Sequence, residues 1–138
     1  MSEFKKISGI VIKYKNEVLL CKRNKKKSLS NEWSIPSGHI ENEETPLDGA
    51  IREFKEETNI DIDKKKLNLS GILSGYDSER KTKNKIFFVY SYKTDKKLLP
   101  DLDSAKDGNE HTECKYFSKN ELPKSKKTES MMKIIKKI

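Results

Sequence analysis

Glu53, Glu56 and Glu57 are spaced i, i+3, i+4. On a helix that spacing gathers three carboxylates into one patch. The surrounding residues predict such a helix, from about Pro46 to Thr58. Thr45 is a suitable N-cap, and Pro46 fits the first helical position. Asp48 stands where a capping box places its acid. Leu47, Ala50, Ile51 and Phe54 form one apolar stripe, with the three acids beside it. Asn59 can take the left-handed conformation that ends a helix. The acids therefore fall in the last turns, where the helix dipole disfavours negative charge. Like charges there cost a few tenths of a kcal/mol per pair. A divalent cation would reverse that sign, because carboxylate oxygens are the hard ligands that magnesium and manganese prefer. The plain alternative is a solvated helix face, since Glu favours helices and Arg52 and Lys55 stand close by.

The flanking residues favour the metal-binding reading. Gly38 is followed after five residues by Glu44, and after seven more by Arg52-Glu53-Phe54-Lys55-Glu56-Glu57, with Asn59-Ile60 closing the segment. This run resembles the Nudix box, and departs from it only at Asn59, where the pattern has Gly. Asn is the next-best residue for positive φ. Outside the box, the Nudix resemblance extends to Arg23 after the second strand and to Trp33-Ser34-Ile35-Pro36 before the box. Ser37 stands where relatives have Gly.

The resemblance implies an α/β fold: an α/β/α sandwich on a mixed sheet, with the box helix packed against it. It also implies metal-dependent hydrolysis of a phosphoanhydride bond in nucleoside-diphosphate-linked substrates, nucleoside triphosphates or related nucleotides first among them. Mg2+ is the expected cofactor, with Mn2+ a possible substitute. Glu56 and Glu57 are the expected metal ligands, and Glu53 is shared between metal binding and the general-base role. Arg52 is expected to steady Glu53, and Glu44 to orient the site or bind through water. The backbone carbonyl of Ser37 and the carboxylate of Glu110 are further metal candidates, with Glu113 competing for the latter place. Arg23, Trp33 and Gly38 are the substrate-side candidates, although Trp33 also fits a core position. His111, expected in a polar loop, is a weaker candidate for touching substrate. Removal of pyrophosphate or a cap from an RNA 5′ end is an alternative, and so is a catalytically silent nucleotide-binding domain.

The elements that must position these residues are legible in outline. Ile7 to Tyr14 and Val18 to Arg23 read as strands joined at Lys15-Asn16-Glu17. Trp33 to Ile35 reads as a short strand stopped by Pro36, with Ser37-Gly38 opening a loop. Leu67 to Tyr76, Lys85 to Lys93 and Glu113 to Phe117 read as three more strands. The middle one, with Ile86-Phe87-Phe88-Val89-Tyr90, is apolar on both faces and so central. Leu99 to His111 reads as a polar loop. A second helix is expected from Ser125 to Lys137, burying Met131, Ile134, Ile135 and Ile138.

The 138 residues suit a single domain spanning 1–138. The net charge of +8 rests mainly on lysine, which permits RNA binding but more often marks a solvated surface. The Lys25-Lys26-Lys27 run is read in the same way. Cys21 and Cys114 lack metal-ligand spacing, and free thiols in a reducing compartment are expected. No apolar run approaches the roughly 20 residues a membrane span needs. A cytoplasmic protein acting on small nucleotides, as monomer or homodimer and without a membrane partner, follows as the expectation.

Overall fold

A computed structural model describes residues 5–24, 31–76, 84–125 and 128–138. The lysine run at 25–27 lies outside them. Among the described residues, seven strands form one sheet: β1 (Lys5–Tyr14), β2 (Glu17–Arg23), β3 (Trp33–Ser34), β4 (Ser37–His39), β5 (Leu67–Tyr76), β6 (Asn84–Thr94) and β7 (His111–Ser118). The same residues include two α-helices, α1 (Pro46–Thr58) and α2 (Glu129–Lys136).

β1 is the spine. Along one edge it pairs in parallel with β6 over its whole length, from Lys5↔Lys85 to Tyr14↔Thr94, and β6 pairs antiparallel with β5. The other edge of β1 is divided. β2 pairs with its last residues, Lys13 and Tyr14, while β4 pairs with Ile7 to Gly9. β2 then carries β3 and β7 outward.

Both faces of this mixed sheet are covered. Ile10, Ile12, Leu19, Tyr90 and Tyr92 meet Ala50 and Phe54 of α1. Val11, Val18, Leu20, Ile35 and Val89 meet Met131, Met132 and Ile135 of α2. Alternation along β1 and β2 thus feeds two cores, which makes the three-layer α/β/α sandwich.

Several expectations change, among them the start of α2, which falls at Glu129 and not at Ser125. Ser37-Gly38 forms strand β4 instead of opening a loop, because Pro36 ends β3 and leaves the next residues free to pair with β1. The last strand begins at His111, not Glu113. Cys21 and Cys114 are joined in a disulfide, not free. They stand directly opposite one another on β2 and β7. A sequence separation of 93 residues hides that neighbourhood until the sheet is assembled.

Candidate active site

α1 begins and ends as its caps dictate. The Thr45 hydroxyl accepts from the Asp48 amide at 3.1 Å, and Asn59 closes the helix at φ 63°. The loop after β6 docks on the far end of the helix. There the Asp107 amide donates to the Glu56 carbonyl at 2.6 Å, and the Asp101 amide to the Thr58 carbonyl at 2.9 Å. Helix C-terminal carbonyls lack partners of their own, so this loop supplies donors they need. It delivers Glu110, in a 3₁₀ turn over Gly108–Glu110, and then His111, the first residue of β7, to the acidic end of α1.

Arg52 organises one half of the site. Its Nε donates to Glu44 Oε2 at 2.8 Å and its Nη2 to Glu44 Oε1 at 3.1 Å, a two-pronged grip on one carboxylate. Nη1 reaches Glu53 Oε1 at 3.0 Å and Glu56 Oε1 at 3.3 Å, and Nη2 also donates to the His39 carbonyl at 3.0 Å. Glu44 accepts the Glu41 amide at 2.9 Å as well. These bonds pin the loop before α1 to the helix. The Arg52 guanidinium holds the Glu44 carboxyl below its usual range, and Glu44 in turn raises the pKa of Arg52.

Glu57 occupies the other half and is buried, with a relative exposure of 2%. Its Oε1 lies 2.6 Å from His111 Nε2. The backbone of Ser37 and the side chain of Glu53 adjoin it and favour its charged form. Burial pushes the Glu57 carboxyl up to about 8. Burial, together with the neighbouring Glu57, pushes Glu53 up to about 7. Burial lowers His111 to about 4, aided by the charge of Arg23. Arg23 Nη1 stands 3.7 Å from Glu110 Oε2, and the Asn24 amide donates to the Glu110 carbonyl at 3.0 Å.

The fold therefore brings together Arg23, Ser37, Gly38, Glu44, Arg52, Glu53, Glu56, Glu57 and Glu110. Ser37 meets the acids through its backbone. Glu113 is exposed on β7 opposite Lys22, whereas Glu110 adjoins the cluster. Trp33 joins a different group. It packs edge-on against Phe117, centroids 4.9 Å apart, beside the α2-side core. Among the described residues no three acids already form a metal cage, because Arg52 engages Glu53 and Glu56 while His111 engages Glu57. The donors are nonetheless hard oxygens, two of them in carboxyls that burial has made reluctant to ionise. That is the chemistry a divalent cation complements.

His111 was missed as a partner of Glu57. Its only sequence signal was its place just before the last strand, next to Glu110, and pairing Arg23 with His111 across β2 and β7 requires the sheet register.

Gly38 is required for room rather than for backbone freedom. A Cβ there would run into the Glu53 carboxyl group. Gly38→Ala is expected to displace the Glu53 carboxyl, the end of a flexible side chain, so it should lower stability by only about 1 kcal/mol and depress any turnover that uses Glu53. Denaturant unfolding and steady-state kinetics check this, and unchanged values in both would show that Glu53 has another place to go.

A mixed sheet between two helices, with one helix end crowded by acids and flanked by arginines, defines a three-layer sandwich built around an acidic helix. The chain belongs to the Nudix family: the model of the NUDIX domain matches residues 5–138. It is similar over 97% of its length to the MutT NUDIX hydrolase of Burkholderia pseudomallei, covering 99% of that chain with a TM-score of 0.79 and 19% identity. It also resembles a C. elegans Ap4A hydrolase, with a TM-score of 0.63 and 22% identity, over 95% of this chain and 93% of that one. At these identities the likeness is one of fold. A curated relative, the 8-oxo-dGTP diphosphatase of Proteus vulgaris, is 33% identical over 55 residues, which is 40% of this chain and 49% of the relative. Nudix hydrolases generally use divalent cations and act on nucleotides. No helix among the described residues is long and apolar enough to cross a membrane.

Proposed function

We propose that this chain is a magnesium-dependent pyrophosphohydrolase that uses water to cleave a phosphoanhydride bond in a nucleoside triphosphate. The observation that carries the reading is the buried Glu57 carboxyl set against Glu53 at the C-terminal end of α1. In isolation that arrangement is unfavourable three times over, through burial, like charge and the helix dipole. A bound divalent cation offsets all three.

Glu56, Glu57 and Glu53 would hold the metal, with Glu110 completing the set. When bound, the metal neutralises phosphate charge and lowers the pKa of its water. Glu53 is assigned the proton from the attacking water. Its place beside Glu57 and its bond to Arg52 set it at the edge of the acids, where a carboxylate can take a proton. Arg52 fixes Glu53 and leaves it few rotamers. Glu44 fixes Arg52. Arg23 meets substrate phosphate, exchanging its 3.7 Å contact with Glu110 for a phosphate oxygen.

The activity named for the Proteus vulgaris relative places an oxidised purine triphosphate at the head of the panel to be tried. That panel should be screened with Mg2+ and should contain 8-oxo-dGTP, the ordinary nucleoside triphosphates, ADP-ribose, a nucleotide sugar, Ap4A and 5′-triphosphate RNA. The expected result is magnesium-dependent release of pyrophosphate and a nucleoside monophosphate from a triphosphate. Turnover confined to RNA, with steep salt dependence, would replace this reading by the RNA-end alternative. Binding without turnover across the panel would overturn it in favour of a silent sensor.

A further inference from the structure

We propose that His111 is a positioning residue for Glu57: it fixes one carboxylate oxygen so that the other is presented to the cation among the acids of α1. The inference rests on the reading that Glu57 is a metal ligand.

The geometry is specific. His111 Nε2 and Glu57 Oε1 are 2.6 Å apart. The imidazole side chain has no exposure, and that of Glu57 has 3%. The two residues are 54 positions apart and come from different elements. Their meeting is therefore made by the fold, not by a local turn. His111 is itself held from both sides. It pairs with Arg23 across β2, next to the irregularity between Lys22 and Arg23. It also follows directly on the loop whose Asp101 and Asp107 amides are bonded to the last carbonyls of α1. The ring thus has little freedom to move when the carboxylate does.

The consequence for Glu57 is geometric. A carboxylate has two oxygens and one soft torsion between them. With Oε1 taken by His111, rotation about that torsion breaks a buried hydrogen bond, and such bonds are costly to leave unmade. The Ser37 backbone adjoins the same group from β4. Glu57 is thereby preorganised, whereas Glu56, on the more open side, meets Arg52 and, at 3.9 Å, Lys106 among the described residues. Groups that orient a metal ligand by a hydrogen bond typically contribute 10- to 100-fold in metal affinity.

The test uses the full chain and Mn2+ alone, with binding followed by the electron paramagnetic resonance of free Mn2+. His111→Leu keeps the volume and removes the ring nitrogen that hydrogen-bonds to Glu57. His111→Gln puts an N–H at about the reach of Nε2. His111→Leu is expected to weaken Mn2+ binding by roughly 10- to 100-fold and to raise the metal concentration for half-maximal turnover by a similar factor. At saturating metal the KM for nucleotide should stay near the parent value. His111→Gln is expected to recover affinity to within about threefold. Equal weakening by Leu and Gln, or no weakening by Leu, would overturn the proposal.

If the Leu variant does not fold, His111→Asn takes its place, since its amide falls short of Glu57. Asn weakened and Gln intact supports the inference, and equal values sink it. Glu57→Gln runs alongside. Should that variant still bind Mn2+ like the parent, the metal-ligand reading of Glu57 has failed. If Glu57→Gln abolishes binding while His111→Leu does not, only the positioning role has failed.

Discussion

Glu57→Gln is expected to cost at least about two orders of magnitude in metal-dependent turnover while leaving the protein folded and, above neutral pH, more stable. The first part follows from the value of a metal-bound carboxylate. Metal stabilisation of a phosphoryl transition state is worth several kcal/mol, and about 1.4 kcal/mol is a factor of ten in rate. Gln has nearly the same shape, and its NH2 can donate to an unprotonated Nε2 of His111 so that the buried contact is kept, but it is a far weaker ligand. The second part follows from burial. Glu57 is 2% exposed, so its ionised form pays for desolvation that a neutral amide avoids. A fall in activity with a rise in melting temperature near pH 8 is the signature of a residue placed for chemistry. Turnover equal to the parent's would remove Glu57 from the site, and a large loss of stability would recast it as a structural group.

The metal-free protein is expected to become less stable as pH rises from about 6.5 to 8. The sign follows from three groups that face one another. Glu57, raised to about 8, and Glu53, raised to about 7, both lie above their ordinary value of 4.5. The folded state holds their protons more tightly than the unfolded state does. Their contribution is complete below about 4.5 and is lost as pH climbs through the folded values. His111 acts in the opposite sense. Its folded pKa, lowered to about 4, makes stability increase with pH until the ordinary histidine value of 6.5 is passed. Below that point the two trends oppose each other. Between 6.5 and 8 only the carboxyls act, and at about 1.4 kcal/mol per pKa unit the expected loss is on the order of 2 kcal/mol. The charges of Arg23 and Glu110 also face Glu57, in opposite directions. Denaturant unfolding in a chelator across this range measures the slope. Adding Mg2+ or Mn2+ should flatten or reverse it, because the ion binds the ionised folded form. A metal-free protein whose stability rises between pH 6.5 and 8 would contradict the buried-acid description.

Much of the site was legible because it is written within one helix and its lead-in. Thr45, Pro46 and Asn59 fix where α1 starts and stops, and that phase decides which way Glu53, Glu56 and Glu57 face. The role of Gly38 could be located by spacing, but its reason could not, since the collision with Glu53 exists only once β4 pairs with β1. The strand at Ser37–His39 was hidden because three residues after a proline carry no period of their own. The Cys21–Cys114 bridge and the His111–Glu57 bond were hidden for one reason: each joins positions that become neighbours only through sheet register or tertiary packing. Trp33 shows the reverse limit. Its place beside the box suggested substrate or core, and the ring packs edge-on against Phe117 beside the α2-side core.

The parallel β1–β6 pairing and the β2–β7 pairing govern how the protein reaches its native state. Ile7 pairs with Phe87 and Val18 with Phe117, so the pairings that frame the acids close very long stretches of chain. Such closures are slow, because ordering entropy is spent well before the contacts repay it. α1, with its own caps, needs none of them. The acidic helix can form early, and its partners Arg23, Ser37 and His111 arrive only as the sheet wings dock. The complete set of charges around Glu57 is thus a late event in folding.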